Sequence, residues 1–170
     1  GVMFVHQYSA FYGYDGTNIG KGGVEHPDKN DVKDVCGDLP AVMGFDLGGL
    51  EYFSLHNIDG VPFTLQREEI LKHHRRGGII TLSWHPINPG TNQDAWQKTD
   101  NVVVKVLPGG EFNAKFNTWL DELVKYFKTL KSDDGNLIPF IFRPWHEMNG
   151  GWFWWGKGNC SPEEYKQLFR

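Results

Sequence analysis

Three polar residues able to move protons or hold a sugar leave one point of the chain together. Arg143, His146 and Glu147 follow an apolar run, Leu137 to Phe142, that reads as a fully buried strand. Trp152, Phe153, Trp154 and Trp155 come straight after. A carboxyl group set against apolar rings has its ionised form disfavoured and its pKa raised, which is how a general acid keeps its proton near neutral pH. Tryptophans with polar edges suit a sugar-binding cleft. This pattern points to hydrolysis of a glycosidic bond, with Glu147 as acid/base. Such hydrolysis takes two carboxyl groups, one protonating the leaving oxygen and one opposing it. The plain alternative, that Glu147 only pairs with Arg143, is compatible with the same role, since a charge partner tunes the same group.

A second group lies at His85, in Ser83-Trp84-His85-Pro86-Ile87-Asn88-Pro89, which also ends an apolar run. His85 and His146 read either as donors that orient a carboxylate or a sugar hydroxyl, the preferred reading, or as satisfied half-buried histidines. Trp152 reads as a face for a pyranose ring or as part of the core. Trp154 and Trp155 cannot both face a cleft, so at least one belongs to the packing. A metal site built from His6, His85, His146 and Glu147 is the weaker reading, because the chain has no His-x-His after its first strand and no H-E-x-x-H. Neither a metal nor a cofactor is expected. His73 and His74, beside Lys72 and Arg75 late in a helix, read as a solvated face favoured by the helix dipole.

The elements that must carry these residues repeat. Four apolar runs, Met3 to His6, Ala41 to Phe45, Ile79 to Trp84 and Ile138 to Arg143, read as buried parallel strands. A helical segment follows each. The first spans Asp31 to Cys36 and is closed by Gly37. The second starts at Thr64 as N-cap and stops at Gly77-Gly78. The third sets Phe112, Phe116, Trp119, Leu120, Leu123, Phe127 and Leu130 on one face. The fourth opens with Ser161-Pro162-Glu163-Glu164, a capping box with proline at its first helical position. The repetition predicts an α/β fold with a parallel sheet. A complete (β/α)8 barrel takes about 250 residues, so four units in 170 residues read as the N-terminal half of one catalytic barrel spanning 1–170, cut within the fourth helix. A small complete open sheet is the alternative, but no phosphate-binding glycine loop follows the first strand. The long segments after strands one and three, Gln7 to Asn30 and His85 to Gly110, fit the active rim of a barrel. On that rim the ends of strands three and four are neighbours.

Bulk properties narrow the partners. A formal charge of -4 gives no basic footprint for nucleic acid. No apolar run reaches membrane-spanning length. Seven Trp and twelve Phe exceed the needs of one core, so part of that aromatic surface is expected to bind. No signal peptide is visible, and a strand-like run begins at Met3, so the native start is expected upstream. Cys36, at a helix end, and Cys160, before a helix start, belong to opposite ends of a barrel and are not expected to pair.

The motifs resemble a known family. "RPWHEMNGGWFWWG" resembles the acid/base signature of glycoside hydrolase family 26, mostly β-mannanases. "GGIITLSWHPINP" is similar to its strand-three motif and "LPGGEFNAKFNTWLDEL" to the segment entering its third helix; "PAVMGFDLGGLE" and "MFVHQ" fit its second and first strands more loosely. The resemblance implies a (β/α)8 barrel that cleaves β-1,4-linked mannans with retention and without cofactor. It places the acid/base on Glu147, active-site histidines on His85 and His146, the arginine on Arg143 and the aromatic at the cleaved sugar on Trp152. It also implies a secreted or cell-surface location. The family nucleophile is a glutamate after strand seven, which has no counterpart here. The isolated chain is therefore expected to be inactive and to require the remaining half of the barrel. Asp46 and Glu51, after strand two, are the nearby carboxylates but poor substitutes: Glu51 falls in a loop, and Asp46 lacks the aromatic surroundings of Glu147. β-1,3-1,4-glucan or β-1,3-xylan as substrate, a non-catalytic carbohydrate-binding half-barrel, and a metal-dependent hydrolase are the rival readings.

Overall fold

The computed structural model describes residues 3–7, 13–14, 19–20 and 30–170. Its centre is a four-stranded parallel sheet of β1 (Val5–Gln7), β4 (Val42–Asp46), β5 (Ile79–Ser83) and β6 (Phe140–Arg143), in that spatial order. The register sets Gln7 beside Gly44, Asp46 beside Ser83, and Ser83 beside Arg143. The C-terminal ends of β4, β5 and β6 are therefore level. Helices α1 (Asp31–Cys36), α2 (Phe63–Arg75) and α4 (Asn113–Phe127) connect successive strands, and α5 (Pro162–Gln167) follows β6. Four consecutive strand–helix units with one parallel sheet are the arrangement of the first half of a (β/α)8 barrel.

The local chemistry accounts for the elements. β4 is buried at every position, as a near-continuous apolar run in a parallel sheet requires. Gly44 leaves room for Gln7: a Cβ there would lie 2.0 Å from Gln7 Oε1. Helix α1 is capped by the Asn30 side chain, which accepts from the Val32 and Lys33 amides, and it closes on Gly37 at φ 78°. The capping box of α5 is complete, Ser161 Oγ accepting from the Glu164 amide at 3.2 Å and Glu164 Oε2 from the Ser161 amide at 2.7 Å. Helix α4 buries Phe116, Trp119, Leu123 and Tyr126.

Several expectations are corrected. Thr64 is not the N-cap of α2; the helix begins at Phe63, preceded by Pro62. The Phe63 amide donates to Leu55 O at 3.0 Å, so a loop carbonyl satisfies a donor that a hydroxyl would otherwise have to meet. The Leu137–Phe142 run is not fully buried: the strand proper starts after Pro139, and Leu137, Ile141 and Phe142 are exposed, as are Met3, Phe4 and Val5 at β1. Both strands are edges of the sheet. The long segment after β1 contains a short antiparallel pair, β2 (Gly13–Tyr14) with β3 (Ile19–Gly20). The segment after β5 contains a helix, α3 (Val102–Val106), three of whose valines are buried. His73 is buried rather than solvated. Its ring fills the space beside Gly78, where a Cβ would lie 2.2 Å away. Burial first, and then the Arg76 charge, hold its pKa below the usual histidine value. Cys36 and Cys160 are both free thiols.

Candidate functional site

The level ends of β4, β5 and β6 bring Asp46, His85 just past Ser83, and the Arg143–Glu147 segment to the rim. His85 Nδ1–H donates to Asp46 Oδ2 at 2.6 Å, and the Ser83 hydroxyl donates to the same oxygen at 2.6 Å. Asp46 Oδ1 accepts from the Gly48 amide at 2.8 Å. Asp46 is almost wholly buried. Burial alone would raise its pKa, but the His85, Ser83 and Gly48 hydrogen bonds and the His85 charge together hold it below the usual carboxylate range. On its other side, His85 Nε2 lies 2.9 Å from His146 Nε2. The two imidazoles meet edge to face, with centroids 4.3 Å apart. Burial, reinforced by the neighbouring His85 and Arg143 charges, pushes the His146 pKa down to about 4. His146 is therefore neutral at pH 7.

A second buried carboxylate braces the same strand exit. Glu51, in a 3-10 turn at Leu50–Tyr52, accepts from the Gly49 amide and from Trp84 Nε1–H on one oxygen, and from the Ile87 amide on the other. Burial raises its pKa, and these donors pull it part of the way back. Asp46 and Glu51 thus grip residues 83–87 from below. Every Asp46 and Glu51 oxygen accepts a hydrogen bond, so neither carboxylate stands ready as a nucleophile. Glu51, expected in a loop, lies instead in that 3-10 turn and is buried.

Glu147 is exposed on the rim, not enclosed by rings. The aromatics after it mostly turn inward. Phe153, Trp154 and Trp155 are all buried, Trp154 Nε1–H donating to Pro86 O at 3.1 Å and Trp155 Nε1–H to His146 O at 2.9 Å. Both tryptophans thus serve packing. Trp152 alone of the four stays half exposed, and its Nε1–H donates to Glu147 Oε2 at 3.0 Å. Its ring lies on Gly150, where a Cβ would come within 2.2 Å of the six-membered ring. Glu147 and Trp145 both adopt left-handed backbone, φ 56° and 53°, which costs a residue with a side chain about 1 kcal/mol or more. The segment is held there by Tyr165 Oη–H donating to Trp145 O at 2.7 Å and by Trp155 on His146 O. Backbone strain at the residue that would carry the acid proton is one way a site is pre-organised.

Of the residues expected at the site, the structure therefore gathers His85, His146, Glu147 and Trp152. Arg143 stands beside Ser83 in the register and is exposed, and among the described residues it forms no ion pair with Glu147. His6 is set apart, level with Met43 inside β1, so it joins no cluster with the other two histidines. Two features escape sequence reasoning. One is Asp46 as the partner of His85; its place at the end of a barrel strand was the available signal. The other is Trp96, half exposed and stacked parallel to His85 with centroids 5.8 Å apart. With Tyr52, Asp59, Asn92 and Asp94 it lines a cleft of about 680 Å³ that has His85 in its wall.

Comparison with known proteins agrees with the fold. The model of glycosyl hydrolase family 26 matches residues 4–170. A mannan endo-1,4-beta-mannosidase of Bifidobacterium adolescentis is 40% identical over 146 residues, 84% of this chain and 14% of that protein. One of Bacillus subtilis strain 168 is 29% identical over 150 residues, 82% of this chain and 40% of that protein. Among solved structures, a beta-mannanase of this family from Bacteroides ovatus superposes on all of this chain and 48% of its own with TM-score 0.91 and 46% identity. An endo-beta-1,4-mannanase from Cellulomonas fimi covers all of this chain and 37% of its own with TM-score 0.83 and 34% identity. The chain thus spans less than half the length of these relatives. The four strand–helix units, the rim that holds Glu147 and a family match along almost every residue converge: the chain belongs to glycosyl hydrolase family 26.

Proposed function

We propose that this chain is the acid/base half of a retaining endo-β-1,4-mannanase acting on mannan, glucomannan or galactomannan. The observation that carries the reading is Glu147, exposed at the C-terminal rim of the sheet with the Trp152 indole on its carboxylate and the His85–His146 pair beside it. The names of the relatives, mannan endo-1,4-beta-mannosidases, supply the substrate class.

Hydrolysis then proceeds by double displacement. Glu147 protonates the leaving glycosidic oxygen while a carboxylate from the remaining half of the barrel attacks the anomeric carbon. Retaining enzymes hold these two groups about 5–5.5 Å apart. Glu147 next removes a proton from the incoming water, which breaks the glycosyl–enzyme ester. Trp152 offers its outer face to the sugar on the leaving side and fixes Oε2, leaving Oε1 to present the proton. Arg143 positions carboxylate and hydroxyl groups, and His85 and His146, whose ring nitrogens are turned to Asp46, to each other or into the interior, brace the rim beside Glu147 rather than donate to the sugar. The residues of this chain need no metal or cofactor for these steps. Secretion or display at the cell surface fits a polymeric substrate.

Reducing-sugar release tests the reading. The 170-residue chain alone should release none from β-mannan, mixed-linkage β-glucan or β-1,3-xylan. A protein that joins it to the second half of the barrel should act on β-mannan first. Preference for glucan or xylan overturns the substrate assignment. Robust mannan hydrolysis by the chain alone overturns the half-site assignment.

A further inference from the structure

We infer that Asp46 is a positioning residue: it fixes the proton on His85 Nδ1 and, through His85, the proton on His146, so that one buried carboxylate sets the hydrogen-bond polarity of the ring beside Glu147. The functional meaning rests on the glycosidase reading above; the proton positions do not.

The argument is one of donors and acceptors. Ionised Asp46 only accepts. Its Oδ2 lies 2.6 Å from His85 Nδ1, so that nitrogen carries the hydrogen. Ser83 is held in the same sense. Gln7 Nε2–H donates to Ser83 Oγ at 3.4 Å, and the hydroxyl proton points at Asp46. The remaining question is the 2.9 Å contact between His85 Nε2 and His146 Nε2, which needs one hydrogen between two nitrogens. If His85 supplied it, His85 would be a cation and His146 would carry its own proton on Nδ1. That atom is buried and has no partner. A buried N–H without an acceptor is the rarer and costlier orphan. If His146 supplies the hydrogen, His146 Nδ1 is a bare lone pair and both rings are neutral. The geometry selects the second arrangement. His85 is the Nδ1–H tautomer and His146 the Nε2–H tautomer, in a chain that runs Gln7, Ser83, Asp46, His85, His146.

The chain ends beside the acid. The His146 carbonyl takes the Trp155 indole hydrogen, and its ring packs on Phe153 and Trp155. Asp46 thereby anchors the residue preceding the strained Glu147 backbone. It touches no substrate, so it is not a catalytic residue.

Asp46→Asn makes a sharp test. Oδ1 faces the Gly48 and His85 amides, so the amide oxygen stays there and the NH2 group takes the Oδ2 position. It then donates toward His85 Nδ1, which must become an acceptor. His85 is forced to the Nε2–H tautomer, and His146 must accept at Nε2 and carry its proton on Nδ1. Two-bond 1H–15N correlation spectra of the histidine-labelled chain at pH 8, assigned with single histidine substitutions, read all four nitrogens. The expected result is His85 Nδ1–H with His146 Nε2–H in the parent chain and both tautomers inverted in Asp46→Asn. Ser83→Ala, which keeps the carboxylate, should leave both as in the parent. Should Asp46→Asn not fold, the parent chain and Ser83→Ala decide alone. The proposal is overturned if the parent His85 is bare at Nδ1 or protonated on both nitrogens, if Ser83→Ala inverts the pair, or if Asp46→Asn leaves His146 unchanged. None of these spectra depends on sugar cleavage. A failed relay leaves mannan hydrolysis standing, and a failed glycosidase reading leaves the tautomers standing.

Discussion

Acid should destabilise this protein through His146 in a defined window. The folded pKa is about 4, against an ordinary value of 6.5. Between those values the unfolded chain binds more protons than the folded one, so stability rises with pH there. The contribution is whole above pH 6.5 and is lost as pH falls toward 4. Integrating the linkage relation, the loss is about 0.2 kcal/mol at pH 7 and about 2.6 at pH 4.5, a difference of about 2.4 kcal/mol. Asp46, with its lowered pKa, acts in the same direction at lower pH, and Glu51, with its raised pKa, acts in the opposite direction. Both are shared by a His146→Gln variant, so comparing the two proteins isolates the histidine. Urea unfolding at pH 7.0 and 4.5 should lower the parent's stability by about 2 kcal/mol more than the variant's. Parallel losses in the two proteins would refute the reasoning, because His146 would then titrate alike folded and unfolded.

Two further outcomes follow from single contacts. Ser161→Ala removes the hydroxyl that caps α5 and should lower stability by about 1 kcal/mol, read as a fall in the urea midpoint at unchanged slope. Gly150→Ala places a methyl 2.2 Å from the Trp152 ring. It should push the indole off Glu147, shifting its fluorescence and weakening manno-oligosaccharide binding about tenfold, with little change in the far-ultraviolet dichroism; an unshifted emission spectrum contradicts the seating of that ring.

The parts of the fold legible in the sequence are those whose signal is local. The apolar runs of β4 and β5 and the one-sided face of α4 carry their periodicity openly. Ser161-Pro162-Glu163-Glu164 states a helix start in four residues. The start of α2 was hidden because its first amide is satisfied by Leu55 O, a partner eight residues away in a loop. Helix α3 was hidden because three consecutive valines look like strand, and its packing, with Val102, Val103 and Val106 buried and α4 as neighbour, is not visible locally. His73 looked solvated beside its charged neighbours, but the bare backbone of Gly78 gives its ring a place inside. The site divides in the same way. Glu147 and His146 announce themselves in one motif, whereas the Asp46–His85 and Glu51–Trp84 pairings link residues more than thirty positions apart. Such pairs exist only once the parallel register aligns the strand ends.

The acid role of Glu147 is tested most directly by its dependence on the leaving group. In a protein that joins this chain to a complete barrel, Glu147→Ala should slow β-mannan cleavage by roughly 10²–10⁴-fold. It should slow an aryl mannoside with an acidic phenol far less in its first step, because that leaving group departs without a proton. Equal slowing of both substrates, or an undiminished rate on mannan, would contradict the assignment of Glu147 as the proton donor.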